Sequence, residues 1–188
     1  MKPIRFSLML LGISLAVVAC AVAPSASPST ASVAEASTPD WFALELVDAQ
    51  TGETFTMNDY AGQVVLLETM AMWCPNCVVQ ANEIRNLRTA LGYPADLISV
   101  SLDVDINEDS LALKEYAEGY GFDWHFAVAP LLVARALGNL YTAQYLNPPL
   151  APMLIIDREG QVHHLEYGLK DAATLQKAVE PYLAQSSP

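Results

Sequence analysis

The chain has 188 residues and a formal charge of −12, from 21 acidic and nine basic side chains. That length suffices for one domain with a substantial core. The acid excess argues against nucleic acid and anionic membrane surfaces as partners, because both carry phosphates that such a charge repels.

The first segment is a targeting signal. Lys2 and Arg5 give a positive start, Leu8 to Val18 is apolar, and Val17-Val18-Ala19-Cys20 resembles a lipobox. Residues 1–19 are expected to be cut away before Cys20, whose sulfur then takes a diacylglycerol and anchors the protein to a membrane. An uncleaved anchor and an ordinary secretory peptide are the alternatives, but the apolar run is short for a span. Residues 20–38, almost wholly Ala, Ser, Pro, Val and Thr, form a tether with no pattern able to bury a core. Loss of Lys2 and Arg5 with the leader takes the formal charge to −14. A cationic partner would be steered toward such a domain, and solubility outside the cell is the plainer use of the charge.

A domain over residues 39–185 follows. Phe42 to Val47 and Glu53 to Met57 alternate about the turn Asp48-Ala49-Gln50-Thr51-Gly52, which predicts a β-hairpin. Gln63 to Met70 is an apolar run with the composition of a strand covered on both faces. After Trp73-Cys74-Pro75-Asn76-Cys77, apolar residues at 84, 87 and 91 fall at helical spacing, and Pro75 suits a first helical position. Asp96 to Asp103 reads as a second buried strand. Asp103, Asp105 and Asn107 then alternate like a calcium loop, but Glu108 and Lys114 stand where such a loop needs Gly and Glu. Asp109 and Ser110 instead cap a helix over 111–118, ended by Gly119 and Gly121. A strand over 123–128, a helix over 131–137, a hairpin of 153–157 with 161–166 and a helix over 171–183 complete the pattern. The fold class is α/β, with a central mixed sheet flanked by helices and an N-terminal hairpin extension.

The chemistry concentrates at Cys74 and Cys77. Two cysteines three positions apart, between a buried strand and a helix, can cycle between dithiol and disulfide. Cys74 at a helix N-terminus meets free N–H groups and the positive end of the helix dipole, which stabilise the attacking thiolate. Cys74 is therefore the expected nucleophile and Cys77, inside the first turn and less exposed, the resolving thiol. Half of a zinc site is the other reading of this spacing. It needs a second ligand pair, and the adjacent His163 and His164 point to opposite faces of any strand.

Trp-Cys-Pro-x-Cys after a buried strand resembles the thioredoxin superfamily, and residues 39–183 as a whole are similar to its TlpA/ResA-like branch of membrane-tethered thiol-disulfide oxidoreductases. The resemblance implies a thioredoxin-like fold with a redoxin-type domain and protein-disulfide reductase activity. It implies no cofactor beyond the redox-active disulfide. It places a proton-relaying carboxylate at Glu68, one methylene longer than the usual Asp, and burial there should raise its pKa toward neutrality. It implies a cis peptide bond between Ala151 and Pro152 that turns the Ala151 carbonyl toward an extended substrate, with Trp73 beside it. An ordinary trans proline at a strand start is the alternative, and Pro148 and Pro149 stand too far from the strand to compete. Gln80 departs from the branch, which often has Glu there. The implied partners are a protein disulfide or dithiol and a membrane-embedded thiol electron donor. The implied setting is extracytoplasmic, at a bacterial surface or in the periplasm, with reduction of secreted proteins or of apocytochrome c as the task.

Two rival functions use the same residues. Met70, Met72 and Cys74 would share a face of a continuing strand and, with His125, His163 or His164, could hold copper(I). Copper-delivery relatives of this fold usually space their cysteines by three residues, however. A thiol peroxidase would typically carry Thr or Ser at position 71, which is Ala.

Overall fold

The computed structural model describes residues 38–185. The expected leader, the lipidated Cys20 and nearly all of the tether lie outside the described residues. Strand β3 (Val64–Met70) is the centre of the domain, and all seven of its residues are buried. It runs parallel to β4 (Leu97–Asp103), which runs parallel to β5 (His125–Val128). On its other side it pairs antiparallel with β6 (Met153–Ile156), itself antiparallel to β7 (Val162–His164), in the order β5-β4-β3-β6-β7.

Alternation along β3 divides the core in two. Val64, Leu66 and Met70 pack with Ile84 and Leu87 of α1 (Pro75–Ala90), Leu113 of α2 (Ser110–Tyr120), and Leu175 and Val179 of α4 (Ala172–Leu183). Val65 and Leu67 pack with Trp41, Phe42, Val100, Leu102, and Val133 and Leu137 of α3 (Leu131–Leu140). Glu68 belongs to the first face, the one covered by α1. The β3–β4 crossover through α1 carries the chain from the end of β3 straight into the Cys74 turn.

The N-terminal hairpin is present but short: β1 (Leu46–Val47) pairs antiparallel with β2 (Thr54–Phe55). Its expected first half is a 3₁₀ turn over Asp40–Ala43 instead. The reason is packing. Trp41 and Phe42 are both buried in one cluster, and consecutive residues of a strand would point to opposite faces.

The alternation at 103–107 has a structural cause. Asp103 Oδ1 accepts from the Asp105 amide and Asp105 Oδ1 from the Asn107 amide, each at 2.9 Å, as short carboxylates do in turns. Asp109 then caps α2, its Oδ1 accepting from the Leu111 and Ala112 amides at 3.0 and 2.9 Å. Gly119 lies inside the last turn of α2, and Gly121 ends it at φ +70°.

Candidate redox site

Cys74 and Cys77 form a disulfide with Cα atoms 5.3 Å apart. Cys74 is the N-cap of α1, Pro75 takes the first helical position, and the Cys77 amide donates to Cys74 Sγ at 3.3 Å. That N–H, which is shared with the Cys74 carbonyl at 3.1 Å, lies in the first turn of the helix, and it would stabilise a Cys74 thiolate. Exposure does not separate the two sulfurs as expected, because Cys74 is 0% and Cys77 2% exposed. Their difference lies in position on the helix: Cys74 receives the helix N–H, whereas Cys77 Sγ lies 3.6 Å from the Pro148 carbonyl oxygen.

The approach loop corrects two expectations. Every peptide bond among the described residues is trans, including Ala151–Pro152. Ala151 ends the 3₁₀ turn Pro148–Leu150 in the left-handed region, at φ +45°, and this reverses the chain into β6. Its amide donates to the Pro148 carbonyl at 2.8 Å, and its carbonyl accepts from Lys170 Nζ at 3.0 Å. Both polar groups of Ala151 are thus satisfied within the domain and do not present themselves to an incoming strand. Pro152 is buried and passes its carbonyl to the Thr69 amide of β3 at 3.1 Å. The prolines that reach the redox pair are Pro148, whose carbonyl faces Cys77, and Pro149, whose carbonyl accepts from Asn76 Nδ2 at 2.9 Å. Distance along the chain misjudged them, because the 3₁₀ turn folds them back over the start of α1.

Trp73 is 58% exposed, and its indole donates to Asp105 Oδ2 at 2.7 Å. With Val104, Ile106, Leu146 and Pro148 it lines a groove of about 200 Å³ beside the disulfide. The turn before Trp73 is held from below, since Glu108 Oε2 accepts from the Met72 amide at 2.8 Å. Next to it Asp103 is fully buried, and burial, then hydrogen bonding to Glu108, pushes its carboxyl up to about 8. Neither acid was legible as part of the site, since both sit in what reads as a polar loop.

Glu68 is buried on β3, on the face covered by α1, opposite Ser101 of β4 and Met153 of β6. Burial pushes its carboxyl up to about 7, against the opposing pull of a Ser101 hydrogen bond and the Lys170 charge. Ser101 Oγ donates to Glu68 Oε1 at 2.5 Å. Lys170 is the other residue that sequence reasoning missed. A lone lysine ahead of a helix cap ordinarily faces solvent, yet this one is buried. Its Nζ donates to the carbonyls of Ala151 at 3.0 Å, Glu166 at 2.9 Å and Gly168. Burial lowers it to about 8, and the Glu68 charge opposes that shift. Gln80, the departure from the branch, clamps the same residue: it donates to the Lys170 carbonyl at 3.0 Å and accepts from the Lys170 amide at 2.9 Å. Lys170→Met removes the donor from three carbonyls, of which that of Ala151 is on a buried residue, and is expected to cost roughly 1–3 kcal/mol, measured by urea unfolding.

Met70, Met72 and Cys74 do not share one strand face, because β3 ends at Met70 and the other two lie in the turn after it. His125 bonds Asp48 at 2.5 Å and Tyr60 at 3.0 Å, His163 bonds Asp157 at 2.6 Å, and His164 bonds Tyr145 at 2.8 Å. His163 and His164 take partners in different parts of the fold, as their strand alternation requires. No cluster of three or more His, Cys, Asp or Glu suited to a metal ion occurs among the described residues.

The family model described as Redoxin matches residues 22–179. No curated protein sequence matches the chain. Among solved structures, a thiol:disulfide interchange protein of the thioredoxin family from Chlorobium tepidum superposes with a TM-score of 0.63 at 19% identity, covering 75% of this chain and 93% of its own. A secreted Mycobacterium tuberculosis disulfide oxidoreductase gives a TM-score of 0.55 at 16% identity, covering 73% and 95%. The exposed lipoprotein thioredoxin of Streptococcus pneumoniae gives 0.54 at 20% identity, covering 73% and 98%.

Proposed function

Since the chain belongs to the Redoxin family, within the thioredoxin superfamily of thiol-disulfide oxidoreductases, we propose that it is a membrane-tethered, extracytoplasmic reductant of protein disulfides. The observation that carries this reading is the Cys74–Cys77 disulfide at the N-terminus of α1, with a buried carboxyl of raised pKa on β3. The reduced Cys74 thiolate attacks a substrate disulfide and forms a mixed disulfide. Cys77 loses its proton to Glu68, attacks Cys74 Sγ and releases the substrate thiolate. The pair carries both electrons, so no further cofactor is needed.

The groove beside Trp73 favours an extended segment with apolar side chains, such as the haem-binding region of apocytochrome c or an unfolded secreted protein. Asp105 on its wall favours basic residues in that segment. A membrane-embedded thiol carrier would return the pair to the dithiol. A lipid on Cys20 would hold the domain near that donor. Relatives of this fold that are described as secreted or as an exposed lipoprotein support the setting.

Direction is tested by the reduction potential of the Cys74–Cys77 pair in glutathione buffers. A value near −270 mV, that of a thioredoxin, is expected; one near −120 mV would make the protein a disulfide donor and overturn the reading.

A further inference from the structure

Glu68 does not stand alone on its face of the sheet. The Trp124 indole Nε1 donates to Ser101 Oγ at 2.9 Å, and Ser101 Oγ donates to Glu68 Oε1 at 2.5 Å. An indole N–H can only donate, so the Ser101 oxygen accepts from it, and the single Ser101 hydrogen is free to go to Glu68 when that carboxyl is ionised. Trp124 is itself held in place against Phe122 and Phe126, with ring centroids 4.9 and 5.4 Å away. It lies just before β5, so the chain of donors runs along one face of the sheet from β5 across β4 to β3.

We propose that Ser101, oriented by the Trp124 indole, is the positioning residue that keeps Glu68 a working proton acceptor for Cys77. This rests on the role assigned to Glu68 above and adds the device that sustains it. The flanking residues on the same face of β3, Leu66 and Met70, offer no hydrogen bond, and Met153 faces Glu68 from β6. Ser101 supplies a donor to the ionised form, which is the form able to take a proton. In the step itself the Cys77 S–H bond breaks, its proton passes to the Glu68 carboxylate, and the sulfur electron pair forms the bond to Cys74 Sγ. The mixed disulfide breaks, and its electron pair leaves with the substrate thiolate.

Glutamate, rather than the shorter aspartate, suits this geometry. Register sets residues 68 and 101 side by side on parallel strands, and the extra methylene lengthens the reach of the carboxyl to the Ser101 hydroxyl. The other groups that act on this carboxyl or feel its charge are Lys170 ahead of α4 and Tyr116 of α2, with Asp103 two positions along β4 on the same face and Cys77 on α1. Ser101 variants leave all of them in place, so the effect of the hydroxyl can be isolated.

The test is the titration of the Glu68 side-chain carboxyl by carbon-13 NMR, in the wild type and in Ser101→Ala, Ser101→Thr and Trp124→Phe. Alongside it, the rate at which Cys77 resolves a peptide mixed disulfide on Cys74 is measured across pH. Ser101→Ala is expected to raise the Glu68 midpoint by about one pH unit, a tenfold change in proton affinity. The same variant should shift the pH profile of resolution by an equal amount. Trp124→Phe should act in the same direction and less strongly, and Ser101→Thr should restore both readings. If Ser101→Ala will not fold, Trp124→Phe and Ser101→Thr still decide the matter. A Glu68 midpoint that does not move overturns the inference. In that case a pH profile that Glu68→Gln still abolishes leaves the Glu68 relay standing. A midpoint that moves while the resolution profile stays fixed, in these variants and in Glu68→Gln alike, removes the relay and the inference together.

Discussion

Cys77→Ser is expected to leave the protein covalently joined to its substrates through Cys74, whereas Cys74→Ser is expected to abolish both trapping and turnover. The two cysteines are equally buried in the disulfide, so exposure alone would predict similar variants. The helix start predicts different ones. Cys74 is the N-cap and receives the Cys77 N–H, so its thiolate is stabilised before any substrate arrives. Without Cys77 that thiolate still attacks, but nothing releases the mixed disulfide except an external thiol. Insulin reduction with dithiothreitol as electron source should fall to background in Cys74→Ser. Non-reducing electrophoresis of Cys77→Ser after mixing with oxidised substrate should show adducts that dithiothreitol removes. Adducts of equal yield from Cys74→Ser would reverse the assignment.

Much of this site was legible because it depends on local pattern. A strand of seven buried residues, a Cys-x-x-Cys turn and Pro75 at a first helical position are all short-range signals, and each element stands where the pattern puts it. Glu68 is expected from the resemblance rather than from pattern, and its burial on β3 excludes the alternative of a strand-end side chain reaching solvent. The residues that complete the site come from afar. Ser101 is an ordinary strand residue until β4 is laid beside β3 in register. Lys170 and Glu108 sit in polar stretches where charge normally faces water, and only the closed fold shows that one is buried and the other binds the Met72 amide. The loop before β6 departs from expectation because the resemblance implies a cis bond at Ala151–Pro152 and the bond is trans. Ala151 at positive φ reverses the chain, so Pro148 reaches the pair and the Ala151 carbonyl turns to Lys170. A left-handed alanine has no signature in sequence.

Glu68→Gln should make the protein more stable at pH 8 and slower at its chemistry. Burial holds the Glu68 carboxyl near 7 in the folded protein, against about 4.5 in the unfolded chain. Between those values the folded state carries a proton that the unfolded state has lost, so stability falls as pH rises through that window. The fall amounts to about 3 kcal/mol once both states are ionised, at 1.36 kcal/mol per pH unit. Gln carries no charge to bury and still accepts the Ser101 hydrogen bond. The stability difference between variant and wild type should therefore be near zero at pH 4, grow between about 4.5 and 7, and level off above that. Asp103, raised to about 8, gives both proteins a further decline that cancels in the difference. Urea unfolding at several pH values measures it, and a difference that does not change with pH would mean that Glu68 titrates in the folded protein as it does in the unfolded chain. The same substitution removes the proton acceptor for Cys77, so resolution of the mixed disulfide should slow by roughly a hundredfold or more near pH 7. Stability and rate are thus expected to move in opposite directions from one atom change, because the carboxyl that is costly to ionise in the buried site is the same one proposed to take the Cys77 proton.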